Sequence, residues 1–382
     1  MDGALSPSID AAALIREFAA RAGQHDRAGS FPFENVRLLH RVGLLTLTVP
    51  TAFGGQGRGL QDAARVVETI AAGDASTALV LAMHYAHHAA IAQASRWPAE
   101  LRERVARDAV AHGALINALR AEPALGTPAR GGLPATIARR VAEGWRITGH
   151  KIYATGIPAL RWCLVWARTD EAAPRLGNWL VPNPIEGLRV VETWDHLGMR
   201  ATASHDVVLD DVLVPESHAV DVRRPEAWGA PDPAQAAWNT LLIGALYNGI
   251  AQAGRDWLVD YLRQRAPSNL GAPLAALPRF QQAVGQIDAL LGINARLLRG
   301  ATAEADRTGT GLHPADPGSI KYTVTNNAVR AVEIALGLIG NPGLDRRNPL
   351  ERHYRDVLCG RIHTPQDDSV LLALGRAALG IL

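Results

Sequence analysis

Apolar residues recur at three- and four-residue spacing through AALIREFAARAG, NVRLLHRVGLL and LQDAARVVETIAAG, so the chain from Ile9 to about Ala114 predicts amphipathic helices. Asp62 and Asp74 are expected to start helices, and the Gly-rich TAFGGQGRG separates two of them. From about Leu115 to Pro215 the runs shorten. TIARRVAEGWRITGHKIYATG, RWCLVWARTD, NWLVPN and SHDVVLDDVLVP are rich in Val, Ile, Trp and Thr and bounded by Gly, Pro or Asp, which predicts antiparallel strands. Beyond PESHAVDVRRPEAWGAPDP the helical period returns in three long segments, with a last helix at about Asp367 to Gly380. The expected architecture is mainly α with a central β-barrel. Its parts are an N-terminal helical domain (1–114), a middle antiparallel β-barrel (115–232) and a C-terminal four-helix bundle (233–382).

Composition narrows the class. With 382 residues and 48% apolar side chains, the chain can fill more than one core. Lys and Arg number 39 against 37 Asp and Glu, a balance that argues against nucleic acid as a partner. The N-terminal stretch lacks a basic region followed by an apolar run, and the longest apolar stretches stop short of a membrane span. Cys163 and Cys359 form neither a disulfide framework nor a metal cluster. A cytoplasmic protein with no membrane partner is expected.

Six landmarks then stand in order: PTAFGGQG (50–57), EPALGT (122–127), GHKIYATG (149–156), LGMRATASHDVVLDDVLVP (197–215), NGIAQAGRDWLVDYLRQR (248–265) and ERHYRDVLCGRIH (351–363). Together they resemble the acyl-CoA dehydrogenase superfamily over nearly the whole chain. The resemblance implies a flavin clasped between barrel and bundle, a small-molecule substrate and a homotetramer. It implies that Tyr153 packs on the flavin ring and Thr155 hydrogen-bonds near it; read from the residues alone, Tyr153 is equally a core aromatic on a strand. Glu122 and Thr127 match the loop that holds the flavin pyrimidine. Because Ala121 and Pro128 depart from its pattern, contacts there are expected mostly from the backbone. Arg265 resembles the bundle arginine that neutralises a flavin phosphate across a subunit interface, although a lone Arg at a helix end is commonly a solvated charge. Gly340 and Gly343 are what remains of a Gly-rich loop that reaches a neighbour's cofactor; its Gln and aromatic are missing, which fits FMN and leaves FAD open.

The chain departs from a dehydrogenase at the base. The family's catalytic Glu falls on Thr364 here, and the alternative position in a second branch falls at about Asn239; neither side chain is a general base near neutral pH. Asp367 and Asp368 come three and four residues late and are expected to open the next helix. The Tyr-x-Thr-Gly and His-x-Pro segments are similar to the branch typified by dibenzothiophene monooxygenase. Those proteins take reduced flavin from a separate flavin reductase and use O₂ to oxygenate a hydrophobic molecule. That resemblance makes His363, His84 and Asn117 the expected catalytic residues, imidazole being suited to give and retake a proton near its ordinary pKa of ~6.5. Read as residues alone, His84 is equally a core histidine, and His87 and His88 are expected on the helix surface. His84 and His88 have i,i+4 spacing, but no acidic ligand is suitably placed, and no metal is expected. Two alternatives stand beside the monooxygenase: an acyl-CoA dehydrogenase or oxidase with a relocated base, and a non-catalytic flavin-binding scaffold.

Overall fold

The computed structural model describes residues 10–125, 132–228, 232–309 and 312–381. The amphipathic period between residues 11 and 112 resolves into α1 (Ala11–Ala28), α2 (Phe33–Arg41), α3 (Leu60–Gly73), α4 (Ala75–Gln93) and α5 (Ala99–His112). Asp74 does open α4: its carboxylate accepts from Thr77 N–H at 3.1 Å, a side-chain N-cap. Asp62 instead lies inside the first turn of α3. The free N–H groups of Leu60 and Gln61 at that terminus donate to Asp306 at 2.7 and 2.9 Å, from a helix more than 240 residues away in sequence. A cap supplied across the fold leaves no local signal.

Eight strands follow: β1 (Leu115–Leu119), β2 (Ile137–Val141), β3 (Gly144–Lys151), β4 (Leu160–Thr169), β5 (Leu176–Pro182), β6 (Leu188–Val191), β7 (Asp206–Val214) and β8 (Ala219–Arg223). They form one curved sheet in the order β6-β7-β3-β2-β4-β5-β8, with β1 beside β4. The sheet is a largely antiparallel half-barrel rather than a closed one. β1 and β2 run parallel to β4, which the strand pattern did not foresee. Parallel neighbours require crossover connections; β5 takes one edge of β4, so β1 and β2 share the other, and the chain reaches β4 from them by way of β3. One face buries Trp145, Ile147, Trp179, Val181, Val207 and Leu209 in the main core. The other face carries Ile116, Trp162, Leu164 and Leu180 against Trp97, Leu101 and Val105 around α5.

The C-terminal helices are α6 (Pro233–Gln264), α7 (Pro278–Thr308), α8 (Asp316–Ile339), α9 (Asn341–Leu344), α10 (Leu350–Leu358) and α11 (Asp367–Leu379). α6 packs on α3 as well as on α7 and α8, and Gly249 permits the approach: a Cβ there would lie 2.3 Å from the Glu68 carbonyl oxygen. Asp367 opens α11 as expected. Among the described residues no helix is long and apolar enough to cross a membrane.

Candidate active site

The turn after β3 leaves the sheet at Lys151 and carries Tyr153 with φ 58°, a left-handed backbone that a non-glycine residue holds at a cost of about 1 kcal/mol or more. Two hydrogen bonds pin the turn, Ala154 N–H to His205 O at 3.1 Å and Gly156 N–H to Thr202 O at 2.9 Å. The result presents the Tyr153 ring 55% exposed, edge-on to Trp194 and His196, whose own rings stack 3.6 Å apart. An exposed aromatic on a strained, tethered turn is a platform rather than a core residue.

Beside it the structure brings Asn117 and Thr155 together. Asn117 Nδ2 donates to Thr155 O at 3.0 Å, and Thr155 Oγ1 meets Ser204 Oγ at 3.0 Å, itself 2.7 Å from Thr202 Oγ1. The histidine that joins this group is His87, with Nε2 3.2 Å from Asn117 Oδ1. Ala118 N–H approaches both Asn117 Oδ1, at 2.8 Å, and His87 Nε2, at 3.1 Å, so Nε2 donates to Asn117 in one tautomer and accepts from Ala118 in the other. His84 faces elsewhere. Its Nε2 sits 2.8 Å from Leu45 O, in the interior, while its Nδ1 has no partner among the described residues. His88, expected on the surface, is 1% exposed and stands edge-on to His84, ring centroids 4.5 Å apart. α4 is apolar nearly all round; His84 and His88 are buried and His87 is half-buried, so neither His87 nor His88 stands on the open helix surface expected for them. Burial lowers the pKa of His84 and of His87 to about 4 and pushes His88 well below the ordinary range.

Glu122 is accounted for by the interior. Its carboxylate accepts from Lys151 Nζ (2.6 Å), Thr136 Oγ1 (2.6 Å), Thr136 N–H (3.1 Å) and Ala135 N–H (2.6 Å). Lys151 also donates to Trp166 O, and both charges lie out of solvent. The side chain therefore ties the segment after β1 to β3 and to the residues leading into β2. Thr127 lies outside the described residues.

His363 follows α10 by one turn. Its Nδ1 is 2.5 Å from the hydroxyl of Tyr247, a fully buried residue of α6. Burial, with the nearby Lys321 cation, brings the imidazole pKa down to about 4. Lys321, fully buried, pairs with Asp367 at 3.3 Å, and Asp367 also accepts from Asn326 at 2.8 Å. The loop bearing Trp194 and His196 is clamped to α10. Met199 N–H donates to Asp356 at 2.7 Å, Leu197 O accepts from Arg355 at 2.9 Å, and Gly198 lies so close to Arg355 O that a Cβ would come within 2.3 Å. The aromatic platform and the His363 turn thus hang on the same helix. The acids here, Asp356 and Asp367, are both engaged by interior donors.

Arg265, Gly340 and Gly343 form a separate locus. Arg265 is the exposed C-cap of α6, and Gly340 and Gly343 shape the α8–α9 turn, with Gly343 buried. Tyr261, one turn before Arg265, lines a shallow hollow with Asn341, Pro342 and Asn348. At ~1.5 Å rise per residue, Arg265 lies roughly 27 Å along α6 from Tyr247. Sequence reasoning did not single out Tyr247 and expected His87 on the helix surface. Tyr247 gave only the signal of a polar aromatic within the apolar run Leu241–Ile250 of α6.

Family models cover the chain in order. The acyl-CoA dehydrogenase N-terminal domain matches residues 11–104, the middle domain residues 118–212 and the C-terminal domain residues 241–367. A Bacillus subtilis (strain 168) protein named "Putative acyl-CoA dehydrogenase YdbM" is 34% identical over 367 residues, 96% of this chain and 94% of that one. L-evernosamine nitrososynthase from a Micromonospora species is 30% identical over 374 residues, 93% of this chain and 85% of its own. The structure of KijD3 in complex with FMN and dTDP-3-amino-2,3,6-trideoxy-4-keto-3-methyl-D-glucose matches with TM-score 0.85 and 28% identity, over 99% of this chain and 96% of that one. With all three domain models matched in sequence order and a relative aligned along nearly its full length, this chain belongs to the acyl-CoA dehydrogenase family.

Proposed function

We propose that the protein is a flavin-dependent oxidoreductase, and specifically a monooxygenase that receives reduced flavin from a separate reductase and oxygenates a small hydrophobic molecule. One observation carries the reading. At the family's base position stands Thr364, next to a neutral His363, while the neighbouring acids Asp356 and Asp367 are bound to Met199 N–H and to Lys321 and Asn326. A pocket so furnished donates hydrogen bonds and does not abstract a proton from carbon.

The residues present fit a flavin. An exposed aromatic ring flanked by amide, hydroxyl and imidazole groups matches a planar heteroaromatic with a polar edge. Bound in its reduced form, the group would supply the electron pair that reduces O₂. Tyr153 would hold the ring by contact. Asn117, His87, Thr155 and Ser204 would orient its polar edge, and His363 would offer an N–H toward the oxygen while the enclosed α4 histidines keep water out. Arg265, Gly340 and Gly343, too far from His363 in one chain, fit the cofactor of a second copy in a homotetramer. The KijD3 complex with FMN favours FMN over FAD.

The test is oxygen uptake by purified protein given reduced FMN, with product analysis over a panel of apolar amines, thioethers and aromatics. Uptake with an oxygenated product is the expected result. Bleaching of bound flavin by acyl-CoA, with no oxygenated product, would return the desaturase reading that the name of the Bacillus relative favours.

A further inference from the structure

We propose that Tyr247 is a positioning residue for His363: its hydroxyl donates to Nδ1 and fixes the ring as the Nε2–H tautomer, so that Nε2–H is the group offered to the site. The direction follows from hydrogen-bond accounting. Tyr247 is fully buried on α6, and His363 Nδ1, at 2.5 Å, is its hydroxyl's hydrogen-bond partner among the described residues. Were Nδ1–H the donor, the phenolic proton would be left buried without an acceptor, a cost of about 1–3 kcal/mol. Burial raises the phenol's pKa well above its ordinary value, so the hydroxyl keeps its proton.

Three further contacts hold the pair. Gly360 lets the 359–363 turn close on the Tyr247 ring, where a Cβ would stand 3.1 Å from the ring carbons. The two rings lie 5.7 Å apart between centroids. Lys321, fully buried and salt-bridged to Asp367, places a cation near the imidazole, so a second proton on the ring is disfavoured. Tyr247 sets which nitrogen carries the proton, and burial, with the Lys321 cation, limits the ring to one. The consequence for oxygen rests on the monooxygenase reading above; the tautomer itself does not.

The experiment is solid-state ¹⁵N NMR of histidine-labelled full-length protein, with His363 assigned by loss of its signals in His363→Gln. The wild type is expected to show an unprotonated, hydrogen-bonded Nδ1 and a protonated Nε2. In Tyr247→Phe, which keeps the ring against Gly360, the tautomer ratio shifts about tenfold toward Nδ1–H. The fraction of reduced FMN oxidised to free hydrogen peroxide also rises. A wild-type Nδ1–H tautomer, or an unchanged ratio in Tyr247→Phe, overturns the proposal. The wild-type spectrum decides even if the variant does not fold. Protein that shows the expected tautomer and its loss but consumes no O₂ sinks the oxygenase reading and leaves the pairing supported.

Discussion

Glu122→Gln separates a structural from a cofactor role for this carboxylate. The group accepts four hydrogen bonds from interior donors, one from a lysine with no exposed side chain. Against the upward push of burial, the Lys151, Thr136 and Ala135 donors hold Glu122 below the ordinary carboxylate range. Burial meanwhile pulls Lys151 down to about 8 despite the pairing, so both groups remain charged at neutral pH. Glutamine keeps the shape and one acceptor oxygen but strands the Lys151 cation. Breaking a buried pair from one side costs about 3–5 kcal/mol. At ~2.1 cal/mol/K of unfolding entropy per residue, the 382-residue chain has ~0.8 kcal/mol/K, so the thermal midpoint should fall by roughly 4–6 °C if it unfolds as one unit. The double variant Glu122→Gln with Lys151→Met removes the stranded charge and should recover most of that loss. Calorimetry on the three proteins, with FMN affinity by fluorescence quenching, checks both halves. An unchanged midpoint with a large loss of flavin affinity would refute the assignment, because the carboxylate would then face the cofactor.

Asp356 and the α4 histidines give two more expectations. Burial foremost, opposed by the Met199 N–H, raises the Asp356 pKa from 3.8 to about 7. The native state therefore holds a proton that the unfolded chain has released. Its contribution is full below about 4, falls by about 1.4 kcal/mol per pH unit, and is gone above about 7. Asp356→Asn keeps an acceptor for Met199, so the stability of wild type minus variant should decline from about pH 4 to 7 and then level; a pH-independent difference in urea midpoints would contradict the burial argument. For the histidines, His87→Gln should raise peroxide leakage and weaken FMN binding about tenfold through loss of the Asn117 contact. His84→Gln should mainly lower stability, by about 1–3 kcal/mol, and the reverse pattern would restore His84 to the site.

Backbone order was legible because it is written in short-range pattern. The change from a three- and four-residue period to short Val-, Ile- and Trp-rich runs placed the sheet, and the landmark order placed Asn117 and Thr155, which the structure joins at 3.0 Å. What was not legible depends on partners distant in sequence. Asp306 capping α3, Lys151 neutralising Glu122 and Tyr247 meeting His363 each span 29 residues or more, and nothing local marks them. The parallel placement of β1 and β2 beside β4 belongs to the same class: alternation reports which face of a strand is buried and says nothing of its neighbour's direction.

The α4 histidines show how such a failure arises. At about 100° per residue, His87 lies 60° around the helix from His84, and His88 40° the other way. On an amphipathic helix the apolar stripe would fix the phase, and a shift of that size would separate core from surface. α4 has no such stripe: Leu79, Val80, Leu81, Ala82, Tyr85 and Ala86 are all buried, and Met83, His87 and Ala90 are half-buried. Only the bodies packed around the helix distinguish the three rings. His84 meets the carbonyl of Leu45, His87 meets β1 at Asn117, and His88 meets neither of these. A helix apolar nearly all round thus hides the phase of its polar residues. In this protein that phase decides which imidazole meets Asn117.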